Sequence, residues 1–319
     1  MFSELLNELK KDEDAPIRSA LVYLLSDIED DDLKTLQAFW PSLPTARRRS
    51  LMQRLATLSE EAFELDFRRV ARLGLTDPDP GVRKHAIAAL WTDDSTECMR
   101  LLLERLVEDT DIEVRTAAAQ ALGAFVLQGE YEEIDPEDAR AVEDALLNVI
   151  EETDSVDLKR RAIEAIAFSG RREVAPIILE AHISEEQKLR VSAIFAMGRS
   201  ANPRWHADVL AALDDEDPEI QFAAARAAGE LTCREAVPRL IGMLDSGDIE
   251  IKHAAIWSLG EIGGDDASEA LDALYDEETD PETLEAIEEA MSMAGLMTGN
   301  FASMLFDFDS DDPLAGDDE

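Results

Sequence analysis

Six side chains suited to recognition stand out by type and spacing: Val191, Phe195, Phe222, Arg226, His253 and Trp257. They form three pairs four residues apart, each pair 31 positions beyond the last, so helices recurring at that period would align them on one wall. Rings beside a guanidinium and an imidazole, where solvated polar residues are expected, have the composition of a protein-binding patch. The same spacing also fits packing of each repeat against its neighbour, and the sequence leaves both readings open.

Groups able to make or break bonds are sparse. The four histidines, His85, His182, His206 and His253, are followed by Ala, Ile, Ala and Ala, so none is paired with an adjacent carboxylate. Cys98 and Cys233 stand 135 positions apart outside any CxxC motif, which points to reduced thiols rather than a disulfide or a zinc site. A GxSxG elbow, a P-loop, HExxH and a strand-borne GxGxxG are all missing. Near the end of the chain Asp307, Asp309, Asp311 and Asp318 fall at the first, third, fifth and twelfth positions of a calcium loop. Asp312 occupies the sixth, where the sharp turn needs glycine. No catalytic residue, metal or cofactor is therefore expected.

Charge narrows the partners. Acids outnumber bases 72 to 30, for a net charge of −42, so phosphate backbones and anionic membranes are repelled. Arg47-Arg48-Arg49 is a dense basic run and is expected to pair with nearby acids. The acidic, amphipathic opening Met1–Lys10 lacks the basic and apolar regions of a signal peptide. No stretch approaches the about 18 apolar residues of a membrane span. A soluble, cytoplasmic protein is expected, with a protein or peptide partner that gains from positive charge.

The elements that must position the wall come from one recurring phrase, as in Asp111-Ile-Glu-Val-Arg-Thr-Ala-Ala-Ala-Gln-Ala-Leu-Gly123 and Asp248-Ile-Glu-Ile-Lys-His-Ala-Ala-Ile-Trp-Ser-Leu-Gly260. Its basic or polar marker falls at Arg18, Arg48, Arg83, Arg115, Lys159, Arg190, Gln221, Lys252 and, decayed, Leu284, at intervals of 30, 35, 32, 44, 31, 31, 31 and 32. A fixed period of this length means stacked supersecondary units. Each unit reads as two helices, the second capped by its aspartate and closed by glycine in a left-handed conformation. The expected fold is all-α, an α-solenoid superhelix of about nine stacked helical hairpins. Residues 1–76 form divergent capping repeats and 77–297 the regular ones. An insertion loop lies near 128–138, and 298–319 is an acidic disordered tail.

The phrase, clearest over 216–240 and 248–263, resembles a HEAT repeat, in particular the short form of the phycobilisome bilin lyases and many bacterial scaffold proteins. The resemblance covers about 77–290 well and 1–76 loosely. It implies that the second helices line a concave face, and that an aspartate–base ladder joins neighbouring units. Asp79, Asp111 and Asp248 would then pair with bases among Arg83, Arg115 and Lys252, with Gln221 breaking the ladder. The implied function is a non-catalytic protein-binding scaffold or adaptor. The alternative is a bilin lyase or isomerase, in which Arg226 and His253 would meet tetrapyrrole propionates. Deoxyhypusine hydroxylase, another HEAT protein, holds iron through His-Glu pairs that this chain lacks.

Overall fold

A computed structural model describes residues 2–10, 17–62 and 64–297. Among them every regular element is helical and there is no strand. The acidic segment 298–319, including Asp307, Asp309, Asp311 and Asp318, lies outside the described residues.

Packing divides the chain into two compact units, split between Val174 and Ala175. The first holds α1 (Phe2–Leu9), α2 (Ser19–Val22), α3 (Asp30–Phe39), α4 (Thr45–Glu61), α5 (Arg68–Gly74), α6 (Pro80–Ala88), α7 (Thr96–Glu108), α8 (Ile112–Glu130), α9 (Pro136–Glu152) and α10 (Val156–Ile166). From α4 on, the even-numbered helices carry the repeated phrase and stack in sequence, α4 on α6, α6 on α8 and α8 on α10. The second unit holds α11 (Val174–His182), α12 (Gln187–Arg199), α13 (His206–Ala212), α14 (Pro218–Glu230), α15 (Val237–Met243), α16 (Ile249–Ile262), α17 (Asp265–Glu277) and α18 (Pro281–Met297). There α12 packs on α14, α14 on α16 and α16 on α18. Each unit thus has α-solenoid architecture, with cohesion supplied by sequence neighbours.

The phrase dictates where these helices begin. Asp79, Asp111, Asp217 and Asp248 take extended backbone and accept hydrogen bonds from N–H groups of the first turn, as Asp79 Oδ1 does from Val82 at 3.0 Å. Such a cap contributes about 1 kcal/mol.

The glycines do a different job from the one expected of them. Gly123, Gly198, Gly229 and Gly260 lie inside their helices, and the left-handed residues come three positions after the last three of them, at Ala201, Thr232 and Gly263. What these glycines supply is room. A Cβ on Gly198 would lie 2.8 Å from Ala227 Cα, and one on Gly260 would lie 2.8 Å from Ala290 Cα. Small residues facing small residues let successive phrase helices touch at the backbone. The adjoining alanines, Ala118, Ala119, Ala223 and Ala224 among them, are fully buried.

Two expected boundaries shift. The 128–138 insertion is mostly helical: it extends α8 to Glu130 and starts α9 at Pro136, so only 131–135 is irregular. Pro136, which reads as a breaker, sits at the first helical position, where its missing N–H is no loss, and Asp135 caps that helix. The expected divide after residue 76 is bridged by α4 on α6. There Leu51, Met52 and Leu55 are fully buried in place of alanines.

Adding a methyl at a helix crossing should therefore differ from adding one at an open glycine. Gly260→Ala is expected to lose ~1–3 kcal/mol in chemical denaturation, because the neighbouring backbone cannot yield. Gly242→Ala in α15, where a Cβ meets nothing, is expected to be neutral or to gain up to ~1 kcal/mol. Equal effects would remove close approach as the reason for the glycines.

Candidate functional site

All six wall residues lie in the second unit on one face of α12, α14 and α16, and all six are half-buried. The residues between them point inward: Ala193, Ala223, Ala224, Ala254 and Ala255 form the buried side. Phe195 and Phe222 meet edge to face with centroids 6.0 Å apart. The Arg226 guanidinium lies 3.4 Å from the centre of the Trp257 ring. His253 Nε2 is 3.0 Å from Thr283 Oγ1. The wall is thus a chain of contacts from one repeat to the next that keeps part of each side chain exposed. Such cation–π and aromatic pairs contribute on the order of 1 kcal/mol each.

A groove of about 1120 Å³ opens beside it, floored by Phe222, Ala254, Trp257 and Ala290. Its lining also includes Glu250, Glu261, Glu282, Glu288 and Glu289, with Arg226 the only lysine or arginine. Burial lowers the affinity of Arg226 for its proton, although Glu230 and Glu261 oppose that shift. Burial likewise pushes the Glu230 carboxyl up, against Arg199 and Arg226. Arg226 nevertheless stays cationic, as guanidinium groups do in proteins. A smaller cavity of about 250 Å³ joins Val191, Phe195 and Phe222 to Pro218 and Ile251.

The ladder exists with different partners. Arg83 forks onto Asp109 at 2.7 Å through both Nε and Nη2, and Arg48 forks onto Asp77 through the same atoms at 2.7 and 3.2 Å. Lys252 pairs with Glu278. These acids stand two residues before the capping aspartate of the next repeat, and each also accepts that residue's N–H. Asp79, Asp111 and Asp248 do not face Arg83, Arg115 and Lys252, because their carboxylates are committed to helix N-termini. Asp79 in addition pairs with Arg49 of the preceding repeat. Arg115 Nε donates to the Leu106 carbonyl. Gln221 keeps part of the pattern by donating to the Asp215 carbonyl of its own turn, as Arg83 does to that of Asp77. By register it is matched with Ser246, so no charge is left over.

In the first unit a groove of about 520 Å³ is lined by Lys84, His85, Trp91, Gln120 and Gln128. Trp91 is 46% exposed, whereas Trp40 and Trp205 are buried. The structure also joins His206, Cys233 and Glu235, whose potential ligand atoms all lie within 4.8 Å of one another. Sequence spacing alone does not show this, because His206 comes from another repeat. The clue available was that the turn of one repeat carries Cys233 and Glu235 where its neighbour has Asn202 and Arg204.

Stacked helical hairpins joined by capped turns and aspartate–base links define a helical-repeat protein. The family model for HEAT repeats matches residues 70–145, 177–248 and 206–292, more than half of the chain. The chain belongs to the HEAT-repeat family. No curated protein matches it. Among solved structures it is similar to Escherichia coli YibA, at 16% identity and a TM-score of 0.47 over 89% of this chain and 98% of that one. It is also similar to the complex of CpcE and CpcF of phycocyanin lyase from Nostoc, at 17% identity and a TM-score of 0.47 over 71% and 94%. Importin beta is similar at 14% identity and a TM-score of 0.44, over 89% of this chain and 46% of that one. No helix among the described residues is long and apolar enough to cross a membrane.

The two aspartates of one turn should separate by role. Asp109→Ala strands the buried Arg83 and is expected to cost ~3–5 kcal/mol in urea denaturation, whereas Asp111→Ala removes a cap at about 1 kcal/mol. The reverse order would return the ladder to Asp111. The Lys252 ammonium and the backbone N–H groups of Asp280 and Thr279 hold the Glu278 carboxyl down from its ordinary 4.5 to about 2. Because that value is depressed in the folded state, its contribution is complete above 4.5 and lost as pH falls towards 2. Glu278→Gln should therefore be less stable than wild type at pH 7, and the two melting temperatures should converge over that acid range.

Proposed function

We propose that the chain is a non-catalytic, cytoplasmic binding adaptor. Its site is the wall of Val191, Phe195, Phe222, Arg226, His253 and Trp257 with the adjoining groove, and its partner is a protein segment carrying positive charge. One observation carries the reading: an apolar and aromatic floor ringed by five glutamates in a groove that offers one cation of its own. Apolar contact would supply affinity, and the glutamates would steer basic segments and reject acidic ones. Free Cys98, whose thiol burial pushes up to about 12, is inert and suits a reducing compartment. The same glutamates work against a tetrapyrrole, whose propionates would meet repulsion. A flat difference spectrum on mixing with a bilin is the expected result.

Glu282 and Glu289 are exposed on α18, so reversing them should spare the fold. Fluorescence titration with a basic amphipathic helical peptide should show saturable binding that the Glu282→Lys/Glu289→Lys variant loses and added salt weakens. An acidic peptide of the same length should not bind. Equal binding of both peptides, or an unaffected variant, would reject the groove as the site.

A further inference from the structure

The turn after α14 departs from its repeat in a way the fold does not require. Thr232 takes a left-handed backbone with φ of 47°, as Ala201 does 31 residues earlier. The next residue in the earlier turn, Asn202, accepts a hydrogen bond from the Arg204 N–H and caps the short helix there. Its counterpart Cys233 caps nothing. Instead its buried Sγ lies 3.6 Å from Glu235 Oε2. His206, at the start of α13, brings Nδ1 to 4.0 Å from the same oxygen. The other ring nitrogen, Nε2, is buried with no hydrogen-bond partner. In register, the turns before and after this one place Asn202 and Gly264 where Cys233 stands, and the other three repeats of this unit place Ala175, Val237 and Ser268 where His206 stands.

We propose that His206, Cys233 and Glu235 form a binding site for one zinc-class divalent cation. A thiolate, an imidazole and a carboxylate are the ligands of tetrahedral zinc, and the thiolate selects against magnesium and calcium. Ligand atoms around tetrahedral zinc are about 3.3–3.6 Å apart, from bond lengths near 2.0–2.3 Å. The sulfur–oxygen spacing already meets this. The nitrogen–oxygen spacing closes with a shift of about half an ångström in the exposed Glu235, and the sulfur–nitrogen spacing, no more than 4.8 Å, closes by a turn of the His206 side chain. On binding, the Cys233 thiol gives its proton to solvent and the sulfur bonds to the ion. Three protein ligands leave a fourth position for water or a partner's side chain. The ion would tie the start of α13 to the turn entering α15, stapling two consecutive repeats.

The test uses the reduced, metal-free full chain titrated with Co²⁺ in excess Mg²⁺, which occupies the many surface carboxylates. The expected result is one Co²⁺ per chain with a thiolate-to-cobalt charge-transfer band in the near ultraviolet, displaced by Zn²⁺. The band should be lost in Cys233→Ser and in Cys233→Ala, kept in Cys98→Ser, and weakened in His206→Gln. Circular dichroism confirms that each variant is folded, and the two Cys233 replacements guard against misfolding of either one. Absence of the band in the wild type, or its survival without the Cys233 thiol, overturns the site.

Discussion

Everything in the second unit depends on how closely one phrase helix can approach the next. Glycine set against a small residue's backbone fixes that distance, at Gly198 on Ala227, Gly229 on Ser258 and Gly260 on Ala290. Because the contact recurs every 31 residues, the helices cannot rotate without driving a Cβ into a neighbour's backbone. Fixing the small-residue side inward necessarily turns the positions two and six residues past the first buried hydrophobe outward. The wall of Phe195, Phe222, Arg226 and Trp257 is the outer edge of the same interlock. Its rings reach across to the next repeat for the same reason, since the helices are too close for a large side chain to stand clear.

Charge is distributed by the same geometry. With 72 acids and 30 bases, every base spent inside a turn leaves acids elsewhere without a counter-charge. Arg48, Arg83 and Lys252 are held by Asp77, Asp109 and Glu278, and Arg49 by Asp79. Asp77 shows how complete the satisfaction is, since it accepts hydrogen bonds from the Trp40 indole, the Arg48 guanidinium and the Asp79 N–H. A buried carboxylate needs this many donors to offset its desolvation. The groove beside Trp257 has no comparable set of cations and keeps a negative rim. Structural pairing and surface field are therefore two sides of one allocation.

This division explains what could be read from the residues alone. The helical hairpins, their period and their capping aspartates follow from local chemistry, and they are legible because each cap contacts its own first turn. The side of the helix that faces outward follows as well, since Ala223 and Ala224 are inward if Phe222 is not. The ladder partners were not legible, because two aspartates stand two residues apart in each turn and only the three-dimensional path decides which one meets the neighbouring arginine. The glycines misled in a similar way. A glycine near a helix end ordinarily marks a left-handed cap, but here the tertiary contact claims it and the turn passes to Ala201 or Thr232.

A repeat array also separates structural from functional information. A residue type found at the same place in every unit answers a need that every unit has, which is why Asp217 and Asp248 cap and Gly229 and Gly260 make room. Chemistry at one junction alone has no such explanation. Arg226 stacked on Trp257 and Cys233 beside His206 both lie at single junctions where the neighbouring repeats hold unrelated residues. Neither is needed for stacking, because the adjoining junctions close without them. The stack tolerates such departures at its rim, where contact is partial, and forbids them at its alanine seam, where contact is total. All six residues of the wall are found at half-buried positions of this kind.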